Sequence, residues 1–117
     1  MASGELRIFW RERTMRVMVK FSFPTESGNT NIRNGKVEKV FQQLIEDLKP
    51  EASYFYPEDG KRAGHFVVNM DGSSEVAGVV ERFCFGLNAK VDLVPVMNGE
   101  DLHKALSKVG DIAERYS

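Results

Sequence analysis

The chain has 117 residues, 42% hydrophobic and 28% charged, a composition that excludes a disordered or collagen-like protein and suits one domain. Sixteen basic residues against seventeen acidic leave a net charge of -1, so no basic excess marks a nucleic-acid binder. No apolar run reaches the roughly 20 residues of a membrane span, and the single cysteine, Cys84, has no partner for an internal disulfide and fits a reducing cytoplasm.

Residues 1–14 (MASGELRIFWRERT) interleave apolar and charged side chains and carry no signal-peptide pattern. They read as an N-terminal extension, disordered or belonging to a non-native start, ahead of a single domain over 15–117. MRVMVKFSF then alternates, with Val17, Val19, Phe21 and Phe23 on one face and Met18, Lys20 and Ser22 on the other, which predicts a half-buried strand. Pro24 to Gly35 collects turn-forming residues and reads as a loop, with Ile32 anchoring it or a short helical turn.

From Lys36 the period becomes helical. Val37, Val40, Phe41, Leu44, Ile45 and Leu48 form one stripe, Asn34 or Gly35 supplies the N-cap, and Pro50 stops the helix after Lys49. Ala52–Tyr56 and Ala63–Met70 read as a hairpin around Pro57-Glu58-Asp59-Gly60. Asp71 or Ser73 is then expected to cap a helix striped by Val76, Val79, Val80 and Phe83 and ended by Gly86. Ala89–Met97 alternates again, and Pro95 argues for an edge strand because it lacks an N–H. Asn98 caps a last helix with Glu100 and Asp101 in its first turn and a stripe of Leu102, Ala105, Leu106, Val109, Ile112, Ala113 and Tyr116.

This order is the α+β, ferredoxin-like βαββαβ plan with a four-stranded antiparallel sheet and an extra C-terminal helix. Right-handed crossovers place both crossover helices on one face of the sheet and leave the other bare. The bare face then carries Met18, Lys20, Ser22, Tyr54, Tyr56, His65, Val67, Asn69, Asp92, Val94 and Val96. That much contiguous apolar surface marks an interface, and a homodimer with two sheets face to face closes a barrel with a partly polar interior.

From Met15 onward the chain resembles the dimeric α/β-barrel superfamily. The stretches FPTESGN (23–29), KPEASYF (49–55), GLNAKV (86–91) and PVMNGEDL (95–102) resemble those of small uncharacterised bacterial proteins of that fold. The superfamily includes cofactor-free quinol monooxygenases, haem-degrading monooxygenases, muconolactone isomerases and stress-responsive barrel proteins. The resemblance therefore implies a fold and a dimer without choosing a reaction.

Candidate catalytic residues are His65, Lys20, Asn69 and Asp92. In strand order 4-1-3-2, Lys20 stands between His65 and Asp92, an arrangement suited to proton transfer, although ionisable groups at interfaces more commonly form a salt-bridged network that sets dimer register. Tyr54 and Tyr56, with Met18 and Arg33, are the candidate ligand-binding residues for a flat, partly apolar molecule, although aromatics also build ordinary interfaces. The 25–35 segment lacks GxxxxGK[ST] or GxGxxG spacing and reads as a lid rather than a phosphate cradle. His65 and His103 fall on different elements with no HxxxH or CxxC pairing, so no metal or cofactor is expected, and the proximal-histidine context of haem is not matched. Cys84 reads as structural.

Three functions compete. The first is a cytoplasmic homodimer binding a small, partly apolar molecule between sheet faces, without nucleic acid or membrane. The second is a cofactor-independent monooxygenase or isomerase with His65 as base and Lys20 or Asn69 steadying an oxyanion. The third is a structural or stress-responsive dimer without a ligand.

Overall fold

The computed structural model describes residues 14–117. Residues 1–14, expected to form an extension, lie outside the described residues except for Thr14. In chain order the elements are β1 (Met15–Phe23), α1 (Thr25–Arg33), α2 (Lys36–Leu48), β2 (Ala52–Glu58), β3 (Lys61–Met70), a 3-10 turn (Ser73–Glu75), α3 (Val76–Leu87), β4 (Lys90–Pro95) and α4 (Gly99–Tyr116). The strands form one four-stranded sheet in the order β2-β3-β1-β4, with every pair antiparallel. The architecture is α+β and compatible with the ferredoxin-like plan.

Alternation in β1 and β3 sends Val17, Val19, Phe21, Phe23, Phe66, Val68 and Met70 to the helix side, where they are buried. Leu44 of α2 and Val79, Phe83 and Leu87 of α3 complete the core from above. Phe21 is its hub, with ring centroids 5.0 Å from Phe83 and 5.7 Å from Phe66 and Phe41. Both outer strands contain a proline, Pro57 in β2 and Pro95 in β4, at positions where a missing N–H is tolerated.

Several local expectations need correction. The 24–35 segment is mostly helix rather than loop or lid. Pro24 holds extended backbone ahead of α1, its carbonyl accepts from Gly28 N–H at 2.9 Å, and Glu26 stands in the first turn. Asn34 and Gly35, at φ 80° in Gly35, break the helix before α2 starts. Packing of α1 on Phe23 and β3 outweighs the weak helix propensity of its Ser, Thr and Asn residues.

The hairpin turn is only Asp59-Gly60, both at positive φ, so the strands extend beyond the expected limits and Pro57 lies within β2. No side chain caps α3, and the Glu75 carboxylate instead accepts from the Asp71 backbone N–H. Gly86 does not end that helix. It lies inside α3 where a Cβ would come within 2.7 Å of Val40 Cγ1, so the glycine permits the close approach of α2 and α3. Asn88, at φ 54°, takes the left-handed closing position. β4 stops at Pro95, short of Met97.

α4 starts as expected. Asn98 Oδ1 accepts from Asp101 N–H at 2.8 Å, and Asp101 Oδ2 accepts from Asn98 N–H at 3.1 Å, a reciprocal capping box. Its predicted stripe is present, yet no residue of the helix is buried.

Candidate functional site

Strand register builds the bare face in rows. Tyr54, His65, Lys20 and Asp92 are paired in turn across β2, β3, β1 and β4. The next row is Ala52, Val67, Met18 and Val94. Lys20 therefore stands between His65 and Asp92, as the sequence predicts. Asn69 pairs with Arg16, four residues along β3 from His65 and about 13 Å away at the strand's rise, so it is not brought to the histidine.

His65 is half-buried among tyrosines. The Tyr56 hydroxyl lies 3.0 Å from Nδ1, and the Tyr54 and Tyr56 rings are centred 5.4 and 5.5 Å from the imidazole. This bond couples the tautomer to the free nitrogen. With Nδ1–H donating to the tyrosine oxygen, Nε2 is left as an acceptor and a base; with the hydroxyl donating, Nε2 carries the proton. Tyr54 is 59% exposed and offers an open aromatic surface beside the imidazole.

The charge partner of Lys20 is a residue that sequence reasoning passed over. Its Nζ lies 3.8 Å from Glu58 Oε1, which the unexpected length of β2 places on the same face. Lys20, Glu58, Lys61, Lys90 and Asp92 surround a charged depression of about 240 Å³ at this end of the sheet. Alternation of Tyr54, Tyr56 and Glu58 was the available signal, hidden by the assignment of Glu58 to the turn.

At the other end, Arg16 ties three elements together. Its Nε donates to Glu51 Oε1, and its Nη1 donates to Asp101 Oδ2 at 3.1 Å. The hydrogen bond to Glu51, reinforced by both carboxylate charges, raises the Arg16 pKa above its ordinary value. Asp101 thus caps α4 and fastens its first turn to β1. Arg33 stands apart from the tyrosines, exposed in the last turn of α1 on the helix side of the sheet. His103 is exposed on α4, Cys84 is half-buried in α3, and no cluster of three or more His, Cys, Asp or Glu among the described residues is placed to hold a metal ion. No helix among them is long and apolar enough to cross a membrane.

No family model, curated protein or solved structure matches the chain. The chemistry of the site rests on its own residues.

Proposed function

We propose that the chain works as a homodimer whose bare sheet faces meet and hold a small, partly apolar molecule against His65, Tyr54 and Tyr56. The observation that carries this reading is apolar surface left uncovered among the described residues, on α4 and on the sheet face that also holds a half-buried, hydrogen-bonded histidine. Leu102, Leu106, Val109 and Ile112 of α4 are each about half exposed, and Val94 and Tyr54 face outward from the sheet. A free amphipathic helix in water is marginal unless its apolar stripe is covered.

A second copy is the occupant that fits. The sheet face is about 19 Å across four strands and about 20 Å along their common length, and the α4 stripe is about 27 Å by 10 Å. Together they offer roughly 650 Å² per copy, or about 1,300 Å² for the pair, inside the roughly 1,200–2,000 Å² range of stable interfaces. The face also carries both signs of charge, Lys20 with Asp92 and Glu58, as a self-complementary two-fold contact requires.

Light scattering at micromolar concentration is expected to give twice the 13.2 kDa chain mass, whereas a monodisperse 13.2 kDa species overturns the dimer. Native mass spectrometry then tests the ligand. The dimer is expected to retain a small-molecule adduct that His65→Gln weakens without dissociating the dimer. A dimer free of any adduct overturns the ligand and supports the structural reading instead.

The 3.0 Å Tyr56–His65 contact also supports a second reading, histidine-base chemistry of the cofactor-independent monooxygenase or isomerase type. Lys20, and not the distant Asn69, is the residue positioned to steady an oxyanion in that case.

A further inference from the structure

We propose that the opposite, helix side of the sheet carries a separate binding site for a small aromatic carboxylate, in the cleft between α1, α2 and the β2–β3 hairpin. The cleft has a volume of about 650 Å³, within the roughly 300–1,000 Å³ typical of small-molecule sites. Phe23, Phe41 and Phe55 line it together with Ile32, Val37 and Pro57. The core leaves much of this surface unused, since Phe55 is 55% and Ile32 47% exposed. Phe41 and Phe55 meet edge to face at 5.1 Å and 82°, an arrangement that a further flat ring extends favourably.

Charge selects the ligand class. Lys61 and Arg62 lie at the cleft, and no carboxylate among the described residues lines it. Neither cation makes an ion pair among the described residues. The Arg62 guanidinium is nevertheless held in place. Its Nη2 donates to the neutral Asn29 Oδ1 at 2.9 Å, and its Nη1 lies so close over Gly28 that a Cβ there would come within 2.9 Å. A fixed guanidinium fork beside an apolar cleft, without a carboxylate of its own, suits a ligand with a flat hydrophobic body and a carboxylate at one end. Arg62 lies across the sheet from His65, and among the residues lining the cleft only Tyr56, hydrogen-bonded to the histidine, also belongs to the other site.

The test uses the full 117-residue chain with 2-naphthoate and its neutral counterpart 2-naphthamide, followed by calorimetry and by NMR shifts. Naphthoate is expected to bind more tightly than naphthamide and to shift Ile32 and Phe55. Arg62→Gln is expected to weaken naphthoate about tenfold or more, the usual loss of a charged hydrogen bond, while leaving naphthamide within about twofold. Ile32→Asp should weaken both probes, and His65→Gln neither. Arg62 and Ile32 are both exposed, so both variants are expected to remain folded, with circular dichroism as the check. Absence of naphthoate binding at millimolar concentration overturns the proposal, as does equal affinity for acid and amide. Shifts confined to Tyr54 and His65, or indifference to Ile32→Asp, overturn it as well.

Discussion

Gly64→Ala is expected to destabilise the fold by about 3 kcal/mol, the upper part of the range for overpacking a tight core. A Cβ at this position would lie 2.5 Å from the Tyr54 carbonyl oxygen and 2.8 Å from Phe21 Cζ. Neither neighbour can yield cheaply. The carbonyl belongs to the paired β2 strand, and Phe21 is wedged between Phe66 and Phe83. For a domain of this size the loss corresponds to a fall in melting temperature of roughly 15 °C, measurable by calorimetry or circular dichroism. Gly72→Ala is the matched control, because its backbone is extended at φ -176° and nothing lies within 4 Å of the added carbon. An unchanged melting temperature for Gly64→Ala would show that the strands β2 and β3 do not approach as closely as the geometry requires.

Leu106→Asp is expected to separate the two copies of the proposed dimer while leaving each one folded. Leu106 is 52% exposed within one chain, so its loss removes little from the core. Covered by a second copy, the new carboxylate is stripped of water without a partner, at a cost of several kcal/mol. Four kcal/mol weakens association on the order of a thousandfold. Val94→Asp should do the same from the sheet face, since Val94 is 36% exposed and lies beside Met18 in the second row. Analytical ultracentrifugation reads both changes, and circular dichroism checks that the fold survives. If Leu106→Asp leaves the dimer intact while Val94→Asp dissolves it, the α4 stripe has no role in the contact.

The strands with clean alternation were legible from the sequence, and so were α2 and α4, whose stripes repeat at helical spacing. The row of His65, Lys20 and Asp92 followed from strand parity once the order of the strands was chosen. α1 was not legible, because a helix of Thr, Ser, Gly and Asn has loop composition and is held by contacts that no local pattern reveals. The signals present were Pro24 followed by Glu26 and the Asn34-Gly35 stop. Arg62 was missed for the same reason. Its importance comes from reaching α1, and Asn29 and Arg62 are 33 residues apart in the chain. The interior role of Gly86 also depended on tertiary contact, with Val40 on the neighbouring helix deciding what the glycine is for.

The prolines of the two outer strands restrict how copies of this protein can accumulate. A sheet ordinarily grows sideways, when the free N–H and C=O groups of one outer strand recruit the outer strand of a neighbour. Here Pro57 interrupts that ladder at β2 and Pro95 interrupts it at β4, so neither border offers an uninterrupted template. Lateral ribbons and amyloid-like stacks are disfavoured from both sides at once. In the proposed dimer, association runs instead out of the plane of the sheet, where a two-fold contact would consume the sticky surface of both molecules and stop at two.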